Sequence, residues 1–121
     1  MSLKLADIQT EAQFTRAVID YASLQGYLVH HCRSVRKPDG SYATPIQGHP
    51  GFPDIVAAGH GKIIFMELKV GSNKPTPAQV EWLDALERVE EVATQWEGPD
   101  PIQVHCFYPR DWDTIEKVLA R

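Results

Sequence analysis

The chain has 121 residues, 43% of them hydrophobic, with 12 Lys+Arg against 16 Asp+Glu for a net charge of −4. That length suits one domain over residues 1–121 built on a single core, and the acidic balance argues against a protein that coats nucleic acid nonspecifically. No apolar run approaches the roughly 20 residues that span a bilayer, and the amino terminus lacks a secretory pattern, so a cytoplasmic protein without a membrane partner is expected.

The charge is uneven along the chain. Residues 1–80 carry 8 Lys+Arg and 6 Asp+Glu, whereas residues 81–121 carry 4 and 10, leaving +2 against −6. A nucleic-acid face is therefore expected on the first two-thirds, with Arg33, Arg36, Lys37, Lys62, Lys69 and Lys74 as its cations. Cys32 and Cys106 belong to no ligand-spaced cluster, which predicts buried free thiols rather than a disulfide or zinc site.

Thr10 and Gln13 form a capping-box pattern, and Phe14, Ala17, Val18, Tyr21 and Leu24 follow at helical spacing until Gly26 supplies a stop. Glu11 shares the stripe of Phe14 and Val18 and should face the sheet, although the helix dipole favours an acid in any first turn. Tyr27 to Ser34 reads as the first strand. Positions 36–52 are dense in Pro, Gly and Asp and predict a long irregular loop. Phe52 to Ala58 and Lys62 to Leu68 read as buried strands joined at His60 and Gly61.

A two-residue loop places Asp54 directly across from Glu67; a three-residue loop opposes Asp54 to Met66 and leaves the carboxylates diagonal. Strand alternation gives Lys69 the face of Glu67 and turns Leu68 into a core. Thr76, Pro77 and Gln79 open a second helix whose inward stripe is Gln79, Trp82, Leu83, Leu86 and Val89. Ile102 to Tyr108 is a last strand, and Asp111 to Leu119 a closing helix.

Two carboxylates and a lysine on one strand face suit phosphodiester hydrolysis. Magnesium held by one or two carboxylates can neutralise the phosphate, activate water and help the leaving oxygen. Asp54 and Glu67 fit as metal ligands and the Leu68 carbonyl as a third. Lys69 can orient the attacking water and steady developing charge, and Glu11 can reach the metal directly or through water. Charged residues rarely enter buried strands without a partner or metal. A structural Glu67–Lys69 ion pair is the competing explanation. His30 and His31 are adjacent on a strand and face opposite ways, so at most one joins any site. His49 and His60 fall in loops, where solvent-facing turn roles are expected.

With Glu11, Gly51, Pro53 and Asp54, Glu67 to Lys69, and Gln79 with Trp82 in that order, the chain resembles the PD-(D/E)XK nuclease superfamily, and within it the VRR-NUC (virus-type replication-repair nuclease) domain. The resemblance implies an α/β fold of αβββαβα order, with a mixed sheet of about four strands flanked by helices. It also implies a Mg2+- or Mn2+-dependent deoxyribonuclease with Asp54, Glu67, Lys69, Gln79 and Glu11 in the site, and a virus or phage source. Small stand-alone members resemble Holliday-junction resolvases, which implies branched DNA as partner and a homodimer. A nicking or end-processing nuclease, and an idle DNA-binding module, are the alternatives. The acidic stretch from Glu87 to Pro101 departs from the pattern expected beside DNA.

Overall fold

A computed structural model describes residues 8–32, 35–36, 38–43 and 46–121. The first helix begins where the capping box dictates. Thr10 is extended, its hydroxyl accepts the Gln13 N–H at 3.1 Å, and the Gln13 side chain accepts the N–H groups of Thr10 and Gln9. These bonds satisfy donors that an uncapped helix leaves bare. Helix α1 spans Glu11–Leu24 and buries Phe14, Ala17, Val18 and Ala22. Leu24, expected on that stripe, is 56% exposed because the helix ends there and the chain turns away at Gly26, whose φ of 94° only glycine adopts readily.

Strand β1 spans Leu28–His31, shorter at both ends than the sequence predicts. The segment expected to be wholly irregular contains a small antiparallel pair, β2 (Val35–Arg36) with β3 (Tyr42–Ala43). The same turn residues that argue against regular structure make its bend: the Asp39 carboxylate accepts from the Ser41 N–H at 2.9 Å and from the Ser41 hydroxyl, and Gly40 takes φ 90°. Strand-favouring residues on either side then pair.

Strand β4 (Ile55–Gly59) and strand β5 (Lys62–Leu68) form the central hairpin. Ile55 opposes Met66 and Gly59 opposes Lys62, so the loop is two residues, His60 and Gly61, with φ of 53° and 80°. Two positive φ values define the hairpin turn whose twist matches its strands. The strain at His60 is offset by a 2.7 Å hydrogen bond between its Nε2 and the Gln25 carbonyl and by an edge-on contact with Tyr27.

Helix α2 (Pro77–Ala93) repeats the capping box with Thr76 and Gln79, and carries the chain across to strand β6 (Ile102–Phe107). One 3-10 turn, Pro109–Asp111, leads into helix α3 (Trp112–Val118). The four-stranded sheet has the order β1-β4-β5-β6, antiparallel except for β5 with β6, which is parallel. The protein is thus α/β, with a mixed four-stranded sheet and three helices. A crossover through α2 is what permits the parallel pair.

Ile64, Met66 and Leu68 of β5 join Ile55 and Ala57 in a core completed by α1 and by Trp112, Ile115 and Leu119. Tyr21 and Trp112 meet edge-on where α1 and α3 touch. The alternate residues of β5 face α2, where Phe52 bridges Phe65 and Trp82. On α2, Leu83 is buried and Gln79, Trp82 and Leu86 are half-buried, but Val89 is 49% exposed, against expectation. Beyond Leu86 the helix has mainly the edge strand beneath it, and a groove lined by Arg88, Val89, Val92, Ala93 and Ile102 opens there. Both cysteines are free, and both are half-buried rather than buried. No helix among the described residues is long and apolar enough to cross a membrane.

Candidate active site

The site is assembled where the central hairpin opens. Pairing of β4 with β5 is described as far as Ile55 and Met66, and one more step of the same register sets Asp54 across from Glu67. Asp54 is tied down by two main-chain links. Its carbonyl accepts the Cys32 N–H at 3.2 Å, and its Oδ2 accepts the Leu68 N–H at 2.9 Å. Pro53, which has no N–H to give, is buried just before it and ends the ladder.

Gly51 controls the approach to this point. It sits at φ 95°, and a Cβ there would lie 2.5 Å from the Ala78 carbonyl carbon and 2.7 Å from the Gln79 nitrogen. Only glycine lets the chain run so close to the first turn of α2. Beside that contact a cavity of about 250 Å3 is lined by His49, Pro50, Ala78, Glu81, Trp82 and Ala85, and the Trp82 Nε1 donates to the His49 carbonyl at 3.3 Å.

Glu67 is 0% exposed, and neither carboxylate oxygen has a hydrogen-bond partner. Its nearest compensation is the Lys69 Nζ, 3.4 Å from Oε2, and Lys69 is itself buried. Burial of the carboxyl raises its pKa most, the negative charge of Asp54 adds to the rise, Lys69 pulls it part of the way back, and the balance stands at about 7. A carboxyl in that range exchanges its proton near neutrality, a property that clusters at functional sites. Glu11, half-buried at the start of α1, has its pKa raised first by burial and then by Asp54, with Lys69 opposing. It therefore lies within the field of the same cluster. Among the described residues no three His, Cys, Asp or Glu side chains converge into a ready-made metal cage. The close arrangement is a carboxylate pair with a lysine.

No protein-family model matches the chain, nor does any curated protein.

Gln79 is partly committed elsewhere: its Oε1 accepts the Thr76 N–H at 2.8 Å, which holds the side chain at the start of α2. Lys62 is not beside the carboxylates. It starts β5 while Glu67 stands five residues along, about 16 Å at the usual strand rise. There its Nζ donates to the Val118 carbonyl at 3.0 Å and lies over the Tyr27 ring, so it closes the end of α3 instead. Lys74 is exposed on the loop that follows Lys69. Arg33 and Lys37 lie outside the described residues, and for Arg36 only the backbone of β2 is described. His30 is exposed, with its Nε2 3.7 Å from the Cys32 Sγ, and His31 is exposed beside it.

Cys106 opposes Glu67 across the parallel pair, and its thiol pKa is raised first by burial and then by Glu67. A thiol held protonated is a poor nucleophile. A second carboxyl pair, Glu90 with Asp100, lies near the start of β6; burial and the contact with Asp100 push Glu90 up to about 7. Phe107 and Leu68 are paired at the other end of that strand.

Sequence reasoning missed Arg110. Its guanidinium carbon sits 4.2 Å from the Tyr108 ring centroid, just beyond the end of β6. Its place within an acidic third of the chain hid it, because composition averages over residues that the fold separates.

Proposed function

We propose that the protein is a metal-dependent deoxyribonuclease of the PD-(D/E)XK kind, related to VRR-NUC domains, that cleaves branched DNA such as Holliday junctions. The observation that carries this reading is Glu67, a fully buried carboxylate with neither oxygen hydrogen-bonded, facing Asp54 and offset by the Lys69 ammonium 3.4 Å from Oε2. An unsatisfied buried carboxylate costs several kcal/mol unless something compensates it. A hard divalent cation is the compensation that oxygen donors attract.

Asp54, Glu67 and the main-chain carbonyl of Leu68 would hold Mg2+ or Mn2+, with Glu11 at the edge of the coordination sphere. Bound there, the ion would supply charge neutralisation on the phosphate and a water acidified for attack. The protein's own contribution is positioning. Lys69 orients the water and stabilises charge developing on the phosphate oxygens. The Leu68 N–H bond fixes the Asp54 carboxylate, and the Gly51 contact with α2 fixes the segment before it. An idle DNA-binding module has no physical reason to keep a destabilising buried carboxylate beside a lysine.

Branched substrates fit a second copy of the chain. A domain this small offers little surface to a long duplex, and pairing by a twofold axis presents two sites to two strands. Val89, Val92 and Trp96 are exposed large hydrophobic residues at the end of α2 and just beyond it, and supply the apolar area for that contact. Sedimentation at micromolar concentration, with and without junction DNA, is expected to show a dimer; monomer throughout would remove it.

The deciding assay offers a labelled four-way junction beside linear duplex, flap and single strand, in Mg2+ or Mn2+. Symmetric nicks in the junction are expected, with Lys69→Ala slowed at least about 100-fold while its circular dichroism is unchanged. Equal cleavage of every substrate would replace the resolvase with a general nicking or end-processing enzyme. Binding without cleavage would leave the idle module.

A further inference from the structure

We propose that the corner formed by Tyr108, Arg110 and the loop after Lys69 is a binding site for a backbone phosphate of the nucleic acid, adjacent to the scissile one. This rests on the nuclease reading and adds to it a contact outside the carboxylate cluster.

Three observations converge on that corner. The first is position. The Lys69 N–H donates to the Phe107 carbonyl at 3.0 Å, so Tyr108 begins where the strand carrying Glu67 and Lys69 ends. The Tyr108 hydroxyl donates to the Asn73 carbonyl at 2.5 Å, which ties the loop bearing exposed Lys74 to the same corner. Asp111, next along the chain, is among the charges felt by the Cys106 thiol together with Glu67, Lys69 and Asp54.

The second is pre-organisation. A guanidinium stacked over an aromatic face keeps its planar fork of donors directed outward, and fewer rotamers are lost when it grips a phosphate bidentately. Arg110 is stacked in this way and exposed.

The third is the absence of a competing anion. The ion pairs among the described residues are Arg16 with Asp20 and Lys69 with Glu67. Asp111, the acid next to Arg110, accepts the Tyr108 N–H at 2.8 Å and makes no ion pair with the guanidinium. Lys62, by contrast, already serves the Val118 carbonyl. Among the described residues no ion pair engages Arg110, which leaves its charge to meet a phosphate.

The test is fluorescence anisotropy of labelled duplex and four-way junction with the full-length protein in EDTA, so that no cleavage intervenes, across a salt series. Arg110→Ala is expected to weaken binding about tenfold, the loss of one charge-assisted contact. The weakening should be equal for both DNAs, and the slope of log affinity against log salt should become shallower by about one. Arg110→Lys should fall between, because it keeps the charge and loses the fork. Lys117→Ala, exposed on α3, should bind as wild type. If the wild type binds and Arg110→Ala matches it in affinity and slope, the phosphate site is wrong and the nuclease reading stands. Weaker binding with an unchanged slope also overturns it, since the lost contact is then not ionic. A wild-type protein that binds neither DNA would remove the site and the nuclease reading together.

Discussion

Replacing Asp54 by asparagine is expected to lower the cleavage rate by at least about 1000-fold while leaving the fold in place. The two effects separate because the Asp54 side chain has two jobs. Its Oδ2 accepts the Leu68 N–H at 2.9 Å, and an asparagine carbonyl oxygen can accept that bond equally well. What asparagine cannot supply is the negative charge opposite Glu67 that a divalent cation needs. Calorimetric titration with Mg2+ or Mn2+ should show binding heat for the wild type and none for Asp54→Asn. Asp54→Ala makes a useful contrast. It removes the same charge and also leaves the Leu68 N–H without its partner, a cost of about 1–3 kcal/mol. It should therefore melt earlier than the asparagine variant. An unchanged metal isotherm in Asp54→Asn would place the ion elsewhere and defeat the proposed ligand set.

The hairpin that carries this pair was readable because its determinants are local. His60 and Gly61 dictate a two-residue turn, and once the turn is set, register follows by counting. Both capping boxes were legible for the same reason: the bonding partners lie three residues apart. The failures came where distant segments decide. Val89 has the spacing of an inward residue, yet exposure depends on how far the sheet extends beneath α2. Lys62 looked available for a phosphate, but Val118, 56 positions later, takes its ammonium group. Arg110 was invisible because the corner it stands in is made by the tie from Tyr108 to Asn73, 35 positions away. The chemistry of Glu67 was half legible. Its residue type and strand position announced a buried charge, but only the structure shows both oxygens without a hydrogen bond.

Substituting Glu67 by glutamine is expected to stabilise the metal-free protein above neutral pH and to abolish cleavage. The sign follows from the proton. In the unfolded chain a glutamate ionises near 4.5, whereas in the folded protein burial and Asp54 hold Glu67 up to about 7. Between those values the folded state keeps a proton that the unfolded state has released, so wild-type stability is fully present below about pH 4.5 and declines as pH rises through 7. Ten-fold proton steps are each worth about 1.4 kcal/mol, and the rise from 4.5 to about 7 spans two and a half of them, which puts the full penalty at about 3–4 kcal/mol.

Glutamine never ionises, and its carbonyl oxygen can still accept from Lys69, so the variant escapes the penalty. Its melting temperature should match the wild type near pH 4.5 and exceed it well above neutrality, by roughly 10–15 °C for a chain of this size. Mg2+ should then reverse the order. A ligand at 1,000 times its Kd stabilises by about 4.1 kcal/mol, more than the penalty, and only the wild type has the carboxylate to bind it. Wild-type cleavage should also rise with pH towards neutrality, because the ionised form of Glu67 is the one that accepts a cation. A variant less stable than wild type above neutrality would mean that Lys69, not the carboxylate, is the group needing compensation. A stabilised variant that still cleaves would leave the buried carboxylate as a structural ion-pair partner and nothing more.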